Sequence, residues 1–501
     1  MTIIEGMTSG FFQAISLGVL PYLMTGAVFG LVIGVIPGLS GHFAMAMAVT
    51  FLYSMEPGAG IAFMLGAHST VAQGGGLTAI LFSTPGTGQN AATLLDGPPM
   101  RDRGEAGKAV GAAMAACFLG ATFGALALAL LIPVLRDVVL FFGPPEIFVL
   151  AFLALTFVAV LGKEDMTRSL IAALGGLMLA LIGVDNVTNT ERFTMGSDNL
   201  ADGLSLVPVI LGLFAVAEMF ELGIRGGALA KNMPDALSGR ETQKQIFQGI
   251  GTAFRHWWLV MRCSAIGTVM GLIPGLGSAP AAFVAYGHAK QTSKSKETFG
   301  KGNVEGVIGS EAANDAVEGG ALASTIAFGI PGSSSMAILL SGLFILGLET
   351  GPQMLNDHVD IVFIMIFTII IGNLIGTIVG MFLVNPLSRA TSIRASFMVP
   401  VLLVIIVTGA YASDRSLFDI GIALFFGVVG YLMKVLNYSR AALLIGFVLG
   451  FAVEKNLYLA LLIDGPLFFL EPIPLGLSLV TLGFLLINVV GYVRDRRRSR
   501  V

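Results

Sequence analysis

Long runs of apolar residues, separated by short polar or glycine- and proline-rich stretches, make up most of this chain. A helix needs about 20 apolar residues to cross the hydrocarbon core of a bilayer, and several runs reach or approach that length. We predict membrane-embedded helices at positions 16–36, 109–134, 146–161, 168–184, 204–222, 257–273, 335–347, 361–384, 397–411, 416–436, 440–453 and 476–493. Stretches 43–55, 60–95, 278–289 and 304–333 are also apolar but rich in Gly, Ser, Thr and Asn, which favours half-helices or re-entrant hairpins. The pattern predicts about 11–14 membrane-embedded segments.

The composition is typical of a membrane protein. Of the 501 residues, 55% are hydrophobic and 12% are charged, and the mean hydropathy is +0.86. Soluble domains carry about 25% charged residues. With a net charge of −3, the chain lacks the basic character expected of a nucleic-acid-binding protein. The sequence contains no G-x-x-x-x-G-K-[ST] phosphate-binding loop, so ATP hydrolysis by this chain is not predicted. Cys117 and Cys263 lie in apolar segments, so we interpret them as buried thiols and not as a disulfide.

One phrase occurs twice in the chain. Gly-Val-Ile-Pro-Gly-Leu-Ser at 34–40 returns as Gly-Leu-Ile-Pro-Gly-Leu-Gly at 271–277, and a second Pro-Gly step follows each copy, at 85–86 and 331–332. Proline and glycine interrupt helices, and broken helices persist in a bilayer only where they are buried or line a cavity. Matched interruptions in two halves of a membrane protein indicate a transport site.

Further ordered matches extend the repeat over most of the chain. We predict a first transmembrane repeat at 15–225, a cytoplasmic linker at 226–256, a second repeat at 257–460 and a terminal helix at 476–493. Corresponding loops carry opposite charge: the loop after the second Pro-Gly step has Arg101, Arg103 and Lys108 in the first half, but Glu349, Asp357 and Asp360 in the second. Because Lys and Arg are enriched in cytoplasmic loops, the repeats are predicted to be inverted, with the N-terminus outside.

The residues around the Pro-Gly steps are the candidate substrate contacts. Amide groups at half-helix N-termini and hydroxyl groups can bind an anion where no Lys or Arg is present. The alternative is that each Ser or Thr bonds back to its own helix. The predicted contacts are Gly38, Ser40, Thr84, Gly86 and Thr87 from the first half, and Gly275, Ser278, Gly332, Ser333 and Ser334 from the second.

An acidic stripe distinguishes the second half. Glu311, Asp315 and Glu318 are spaced i, i+4 and i+7, which places them on one helix face. The basic stretch 290–301 nearby favours a solvated face, and the alternative is a cation-coordinating or proton-carrying stripe. Asn314 and Asp315 are the candidates for a coupling cation, either Na⁺ or H⁺, and no other metal or cofactor is expected.

The motifs resemble those of the large permease subunit of the tripartite tricarboxylate transporter family, over nearly the whole chain. The resemblance implies a secondary transporter of the bacterial inner membrane, driven by a Na⁺ or H⁺ gradient. It also implies a small membrane subunit and a periplasmic solute-binding protein that delivers a carboxylate, such as citrate or a related organic acid. The motifs that carry it lie at 34–40, 74–87, 96–100, 271–277, 311–315 and 326–334.

The sequence thus predicts an all-α polytopic membrane protein of two inverted repeats, with broken helices or re-entrant Pro-Gly hairpins and an extra C-terminal span. We expect alternating access, with the substrate near mid-membrane where the two sets of Pro-Gly steps meet. A passive channel or pore for small anions is the alternative. The pattern Gly-Leu-Ser-Gly at 38–41 also occurs in rhomboid-type intramembrane proteases, but the second copy has Gly277 in place of Ser40, so no enzyme is predicted.

Overall fold

A computed structural model describes residues 2–36, 39–161, 166–185, 189–225, 240–390 and 395–498. Within these residues the chain is almost entirely α-helical, and a π-helical turn at Leu211–Val216 links two of the helices. In chain order the helices are α1 Ile3–Ala14, α2 Leu20–Val35, α3 Gly41–Val49, α4 Pro57–Phe82, α5 Gly97–Asp102, α6 Ala106–Val139, α7 Pro144–Leu161, α8 Met166–Ala180, α9 Leu206–Ile210, α10 Ala217–Arg225, α11 Arg240–Arg255, α12 Trp257–Leu272, α13 Ser278–Thr292, α14 Val304–Phe328, α15 Ser334–Ile345, α16 Pro352–Asn356, α17 Val359–Ala390, α18 Ala395–Asp414, α19 Leu417–Val435, α20 Arg440–Ile463 and α21 Pro472–Arg498.

The helices confirm the predicted all-α polytopic membrane class. Each apolar run predicted from the sequence corresponds to a helix, or to a pair of helices in one run. Among the described residues, six helical segments are long and apolar enough to cross a membrane, and further apolar helices are shorter. The six are Ala106–Val139, Leu206–Ile224, Val359–Phe382, Phe397–Asp414, Leu417–Val435 and Arg440–Ile463. The inversion of the repeats and the bounds of the two halves stay predictions.

The chain divides into two compact units, and each unit contains stretches from both predicted halves. The first comprises Met1–Arg136 and Val207–Tyr431, and the second comprises Asp137–Leu206 and Leu432–Val501. In the second unit, α20 packs against α7 and α8, and α21 packs against α7. Two short antiparallel strands, β1 Gly183–Val184 and β2 Glu191–Arg192, pair in the same unit.

Two long helices, α4 and α14, form the centre of the first unit. Every residue of α4 from Ala59 to Leu81 is buried, and so is every residue of α14 from Gly306 to Ala327. Helix α4 packs mainly against α2 and α17, whereas α14 packs mainly against α12 and α13, and the two central helices also touch each other. Their polar residues are therefore enclosed by protein and do not meet lipid.

This arrangement corrects one prediction. The stretches 60–95 and 304–333 were expected to form half-helices or re-entrant hairpins, yet each contains one continuous helix before its Pro-Gly step. Helix α4 has 26 residues and α14 has 25, which corresponds to about 38 Å at 1.5 Å per residue. Many of the polar side chains on these helices have partners in neighbouring segments, such as the Gln73 amide with Asn373 and the Glu311 carboxylate with Thr93.

Glycines of the repeated phrase let the flanking helices approach the central ones closely. A Cβ atom added to Gly34 of α2 would lie 2.2 Å from the carbonyl oxygen of Val71 on α4. A Cβ atom added to Gly271 of α12 would lie 2.2 Å from the carbonyl oxygen of Val317 on α14. Close backbone approach through small residues is typical of helix packing in membranes. The phrase therefore makes the same contact in both parts of the chain.

Part of the predicted linker 226–256 is a helix. Helix α11 buries Ile246 and Ala253, and Ala253 belongs to the same apolar cluster as Ala112 of α6. The Gln245 side chain also donates a hydrogen bond of 3.0 Å to the carbonyl oxygen of Gly104. This part of the linker is packed onto the first unit, and residues 226–239 lie outside the described residues.

Candidate functional site

All four predicted Pro-Gly interruptions lie between helices. The first separates α2 from α3, and the third separates α12 from α13. The second follows α4 and precedes a short 3₁₀ turn at Gly88–Ala91, while the fourth separates α14 from α15. The prediction of paired helix breaks is confirmed, although Gly38 and its neighbouring proline lie outside the described residues.

The segments that follow the breaks of the two predicted halves pack against each other in a crossed arrangement. Helix α3, which follows the first break, packs against α15, which follows the fourth. Helix α13, which follows the third break, packs against the Gly88–Ala91 turn that follows the second. The breaks themselves meet within each half: the Gly275 amide donates to the Gly332 carbonyl oxygen at 2.9 Å, and a Cβ atom added to Gly86 would lie 2.5 Å from the Gly34 carbonyl oxygen.

Four of the predicted serines lie at helix N-termini. The Ser40 hydroxyl accepts a hydrogen bond of 3.2 Å from the Phe43 amide and caps α3. The Ser333 hydroxyl accepts one of 3.3 Å from the Met336 amide and caps α15. Ser278 and Ser334 are the first residues of α13 and α15. Both caps are half-buried, and each satisfies one of the free amides that begin a helix.

The amides of the glycines at the breaks donate within the protein. The Gly86 amide donates to the Gly75 carbonyl oxygen at 3.4 Å, and the Gly275 amide donates to the Gly332 carbonyl oxygen at 2.9 Å. The Gly332 amide lies 3.4 Å from the Thr325 hydroxyl oxygen. These amides were predicted to receive an anion, but in this conformation each one has a partner in the protein.

The two threonines of the second Pro-Gly step differ in their surroundings. Thr84 is exposed, and its hydroxyl donates to the Phe82 carbonyl oxygen at 3.2 Å. Thr87 is buried, and its hydroxyl donates to the Asn90 side-chain oxygen at 2.5 Å. Thr87 therefore orients Asn90, which in turn reaches into the polar centre of the unit.

The acidic stripe of α14 is buried, so the predicted solvated face is wrong. The exposed fractions of Glu311, Asp315 and Glu318 are 0%, 2% and 8%. The Glu318 carboxylate lies 2.7 Å from the His68 Nε2 atom of α4. The partners of the stripe come from segments that are distant in sequence, so the sequence pattern did not show that the stripe faces the protein interior.

Glu311 is surrounded by donors. The Asn90 amide nitrogen donates to its two carboxylate oxygens at 3.2 and 3.3 Å, and the Cys117 thiol donates at 3.3 Å. The Thr93 hydroxyl also donates to this carboxylate. These three partners were missed as a set, because no spacing in the sequence connects positions 90, 93 and 117 to 311. Both cysteines are free and buried, as predicted.

The two predicted coupling-ion residues adjoin this carboxylate and are unsatisfied. Asn314 is 1% exposed, and neither atom of its carboxamide makes a hydrogen bond of standard geometry within the described chain, although it lies beside the Glu311 carboxylate. One carboxylate oxygen of Asp315 also has no hydrogen-bond partner. Unpaired polar atoms at such depth are costly and are typical of functional positions.

Asp96 joins the first predicted half to the second. One of its carboxylate oxygens accepts the backbone amides of Gly300, Gly302 and Asn303 at 2.8–2.9 Å. The other accepts the Tyr286 hydroxyl at 2.9 Å, and Asp96 is fully buried. No pattern in the sequence indicates this role of Asp96, since its partners lie about 200 residues away along the chain.

We expect the Asp96→Asn substitution to lower the free energy of unfolding by about 1–2 kcal/mol, because three hydrogen bonds lose their charged acceptor. Tyr286→Phe removes one hydrogen bond and should cost about 1 kcal/mol. Both values are measured by detergent denaturation of the purified chain. Equal stability of Asp96→Asn and the wild type would show that this contact does not hold the halves together.

The sequence of this chain is similar to one protein family and to two proteins of Agrobacterium vitis. The family model described as "Tripartite tricarboxylate transporter TctA family" matches residues 20–445. An Agrobacterium vitis protein described as "Uncharacterized 52.8 kDa protein in TAR-I ttuC' 3'region" is 29% identical over 510 aligned residues, covering 99% of this chain and 98% of the relative. A second protein of that organism, "Uncharacterized protein in TAR-II ttuC' 3'region", is 30% identical over 236 residues, which is 46% of this chain and 98% of the relative. No solved structure matches the chain. The family model covers most of the chain, and the chain belongs to the tripartite tricarboxylate transporter TctA family.

Proposed function

We propose that this chain is the large membrane subunit of a binding-protein-dependent, ion-coupled secondary transporter that imports carboxylates across the bacterial inner membrane. The family is a transporter family of multi-component systems, so the chain is a transporter subunit and not an enzyme. The proposed cargo is a tricarboxylate such as citrate or a related organic acid. The proposed partners are a small membrane subunit and a periplasmic solute-binding protein.

The crossed packing of the segments that follow the four helix breaks is the observation that carries this proposal. Helix α3 packs against α15, and α13 packs against the Gly88–Ala91 turn, and each of these three helices begins shortly after a break. Helix N-termini favour negative charge, because their first amides have no intrahelical partner and the helix dipole is positive there. A carboxylate among these N-termini would be bound without a Lys or Arg side chain. Ser40, Ser278, Ser333 and Ser334 are the hydroxyls closest to such ends.

Alternating access is proposed because the site is assembled from two sets of elements. Helix α3 packs on α15, and α13 packs on the turn after α4. This set of segments can open by small movements against α4 and α14. Transporters with discontinuous helices commonly move in this way around a fixed site. Thr84, Gly86, Thr87, Gly275 and Gly332 belong to the parts that would change partners.

Ion coupling is proposed because the protein interior holds more carboxylates than cationic groups. Glu318 is paired with His68, whereas Glu311 and Asp315 have no ion pair among the described residues. A buried carboxylate requires a counter-charge, a proton or strong hydrogen bonds. Asn314 and Asp315 are the proposed residues for the coupling ion, Na⁺ or H⁺.

Uptake into proteoliposomes tests this function. The vesicles contain this chain and the small subunit, and labelled di- and tricarboxylates are offered with and without the purified binding protein. A Na⁺ gradient and a pH gradient are imposed separately. We expect uptake to require the binding protein and one of the gradients. Uptake or anion current that is indifferent to both would instead indicate a passive channel.

A further inference from the structure

Three polar side chains from two helices converge in the interior of the first unit. A ligand atom of each of Cys117, Glu311 and Asp315 lies within 4.8 Å of the other two, and all three side chains are buried. Cys117 belongs to α6, and the two carboxylates belong to α14. Such a cluster needs an internal explanation, because burying two adjacent carboxylates is unfavourable unless their charge is compensated.

The charge of Glu311 is already accommodated by the protein. Its carboxylate accepts hydrogen bonds from three neutral donors, namely Asn90, Thr93 and Cys117. Hydrogen bonds to an ionised group are about twice as strong as those between neutral groups, so this set stabilises the carboxylate. The Cys117 thiol acts here as a donor and stays neutral.

The charge of Asp315 is not accommodated in the same way. One of its oxygens has no hydrogen-bond partner, and no cationic side chain pairs with it among the described residues. The neighbouring carboxylates Glu311 and Glu318 have the same sign, and the His68 ring of α4 is paired with Glu318. The Asn314 carboxamide oxygen is likewise buried and unpaired beside Glu311. Two consecutive residues of α14 thus each bury an unpaired side-chain oxygen, and one of the two carries a negative charge.

We propose that Asp315, the Asn314 carboxamide oxygen and a carboxylate oxygen of Glu311 form a binding site for one dehydrated monovalent cation of the Na⁺ class. This inference rests on the proposed ion-coupled function and assigns the residues that coordinate the ion. Neutral donors already stabilise the Glu311 carboxylate, so a monovalent ion would supply the counter-charge for Asp315. An ion of about this size lies roughly 2.4 Å from its oxygen ligands, so two ligands can be up to about 4.8 Å apart. Ca²⁺ takes six to eight oxygens and fits this small set poorly.

Cys117 provides an independent probe of the site. A thiol is a soft ligand and does not favour Na⁺, but together with two carboxylates it suits a thiophilic ion such as Cd²⁺. We therefore expect Cd²⁺ to occupy the same position and to compete with Na⁺. Cys117→Ser retains a donor for Glu311 and removes the soft ligand, so it should lose most of the competition by Cd²⁺, measured relative to its own Na⁺ affinity.

Binding of ²²Na⁺ to the detergent-purified chain tests the assignment without requiring transport. We expect saturable binding by the wild type, and more than about tenfold weaker binding by Asp315→Asn, which removes the charged ligand. The matched control is Glu305→Gln, which removes a carboxylate from the first turn of the same helix, outside the cluster, and should bind like the wild type. Cd²⁺ should displace ²²Na⁺ from the wild type at concentrations at least about tenfold lower than from Cys117→Ser.

Each outcome bears on the site or on the function separately. Wild-type affinity in Asp315→Asn, or Cd²⁺ that fails to displace ²²Na⁺ from the wild type, overturns the site. If Asp315→Asn does not fold, the comparison of Cys117→Ser with the wild type decides alone. An absence of Na⁺ binding together with uptake driven by a pH gradient overturns the Na⁺ assignment and leaves ion coupling intact. Uptake that ignores every gradient overturns the proposed function, even where the binding site is found.

Discussion

Replacing His68 by Ala is expected to lower the free energy of unfolding by about 3–5 kcal/mol, because it leaves Glu318 as a buried charge without a partner. The two side chains meet at 2.7 Å between α4 and α14, and their exposed fractions are 5% and 8%. Denaturation of the purified chain by increasing detergent concentration measures the loss. Transport should also fall, since the pair joins the two central helices next to the proposed ion site.

The double variant and a matched pair separate this effect from simple loss of packing. Adding Glu318→Gln to His68→Ala removes the unpaired charge and should recover part of the stability. His256, which precedes α12, makes another histidine–glutamate contact with Glu305 of α14. Its Nε2 atom lies 3.6 Å from a Glu305 carboxylate oxygen, and both side chains are partly exposed. His256→Ala should therefore cost no more than about 1 kcal/mol. Similar losses for His68→Ala and His256→Ala would contradict a special role for the buried pair.

Gly86→Ala is expected to abolish uptake and to cost about 3 kcal/mol or more. A Cβ atom at this position would lie 2.4 Å from the Gly75 Cα atom and 2.5 Å from the Gly34 carbonyl oxygen, both of which are backbone atoms. The break could not then close against α2 and α4. Uptake in proteoliposomes and the fraction of monodisperse protein after heating measure the effect.

Two other glycines provide comparison variants for the Gly86→Ala prediction. A Cβ atom at Gly332 would lie 2.9 Å from Ala321, so Gly332→Ala should be milder than Gly86→Ala and of the same kind. Gly287 lies within α13 and has no atom within 4 Å of an added Cβ. Gly287→Ala should therefore be neutral, or stabilising by up to about 1 kcal/mol through helix propensity. If Gly86→Ala behaved like Gly287→Ala, the close approach at the breaks would have no functional importance.

The hydrophobic pattern was sufficient to predict most of the helices, because apolar runs in this chain are long and the breaks between them contain Gly and Pro. It failed for α4 and α14, whose polar residues suggested half-helices. The partners of those residues are remote: the Gln73 amide nitrogen donates to the Asn373 side-chain oxygen at 3.0 Å, across 300 positions. No local pattern reports such a contact, so the sequence could not show that the helix is continuous and enclosed.

The candidate site was predicted unevenly for the same reason. The positions of the helix breaks follow from local chemistry, since Pro and Gly act on their own turn of helix. The local contacts of the side chains do not: Ser40 and Ser333 were predicted to contact substrate, which stays a prediction, and the structure shows that both also cap helices. The burial of Glu311 depends on Thr93 and Cys117, and only the fold brings these residues to α14.

The central claim is that the helix breaks surround a site that opens alternately to the two sides of the membrane. Labelling of Ser333→Cys with a membrane-impermeant maleimide, in vesicles of both orientations, tests it most directly. The native thiols of Cys117 and Cys263 are buried and give a low background, and Ser295→Cys, in an exposed loop, is the control that labels from one side only. Alternating access predicts that Ser333→Cys is labelled from both sides of the membrane. It also predicts that the coupling ion and the carboxylate change the ratio of labelling from the two sides, in opposite directions for vesicles of the two orientations. Labelling from one side alone, or from both sides regardless of ion and carboxylate, would contradict it.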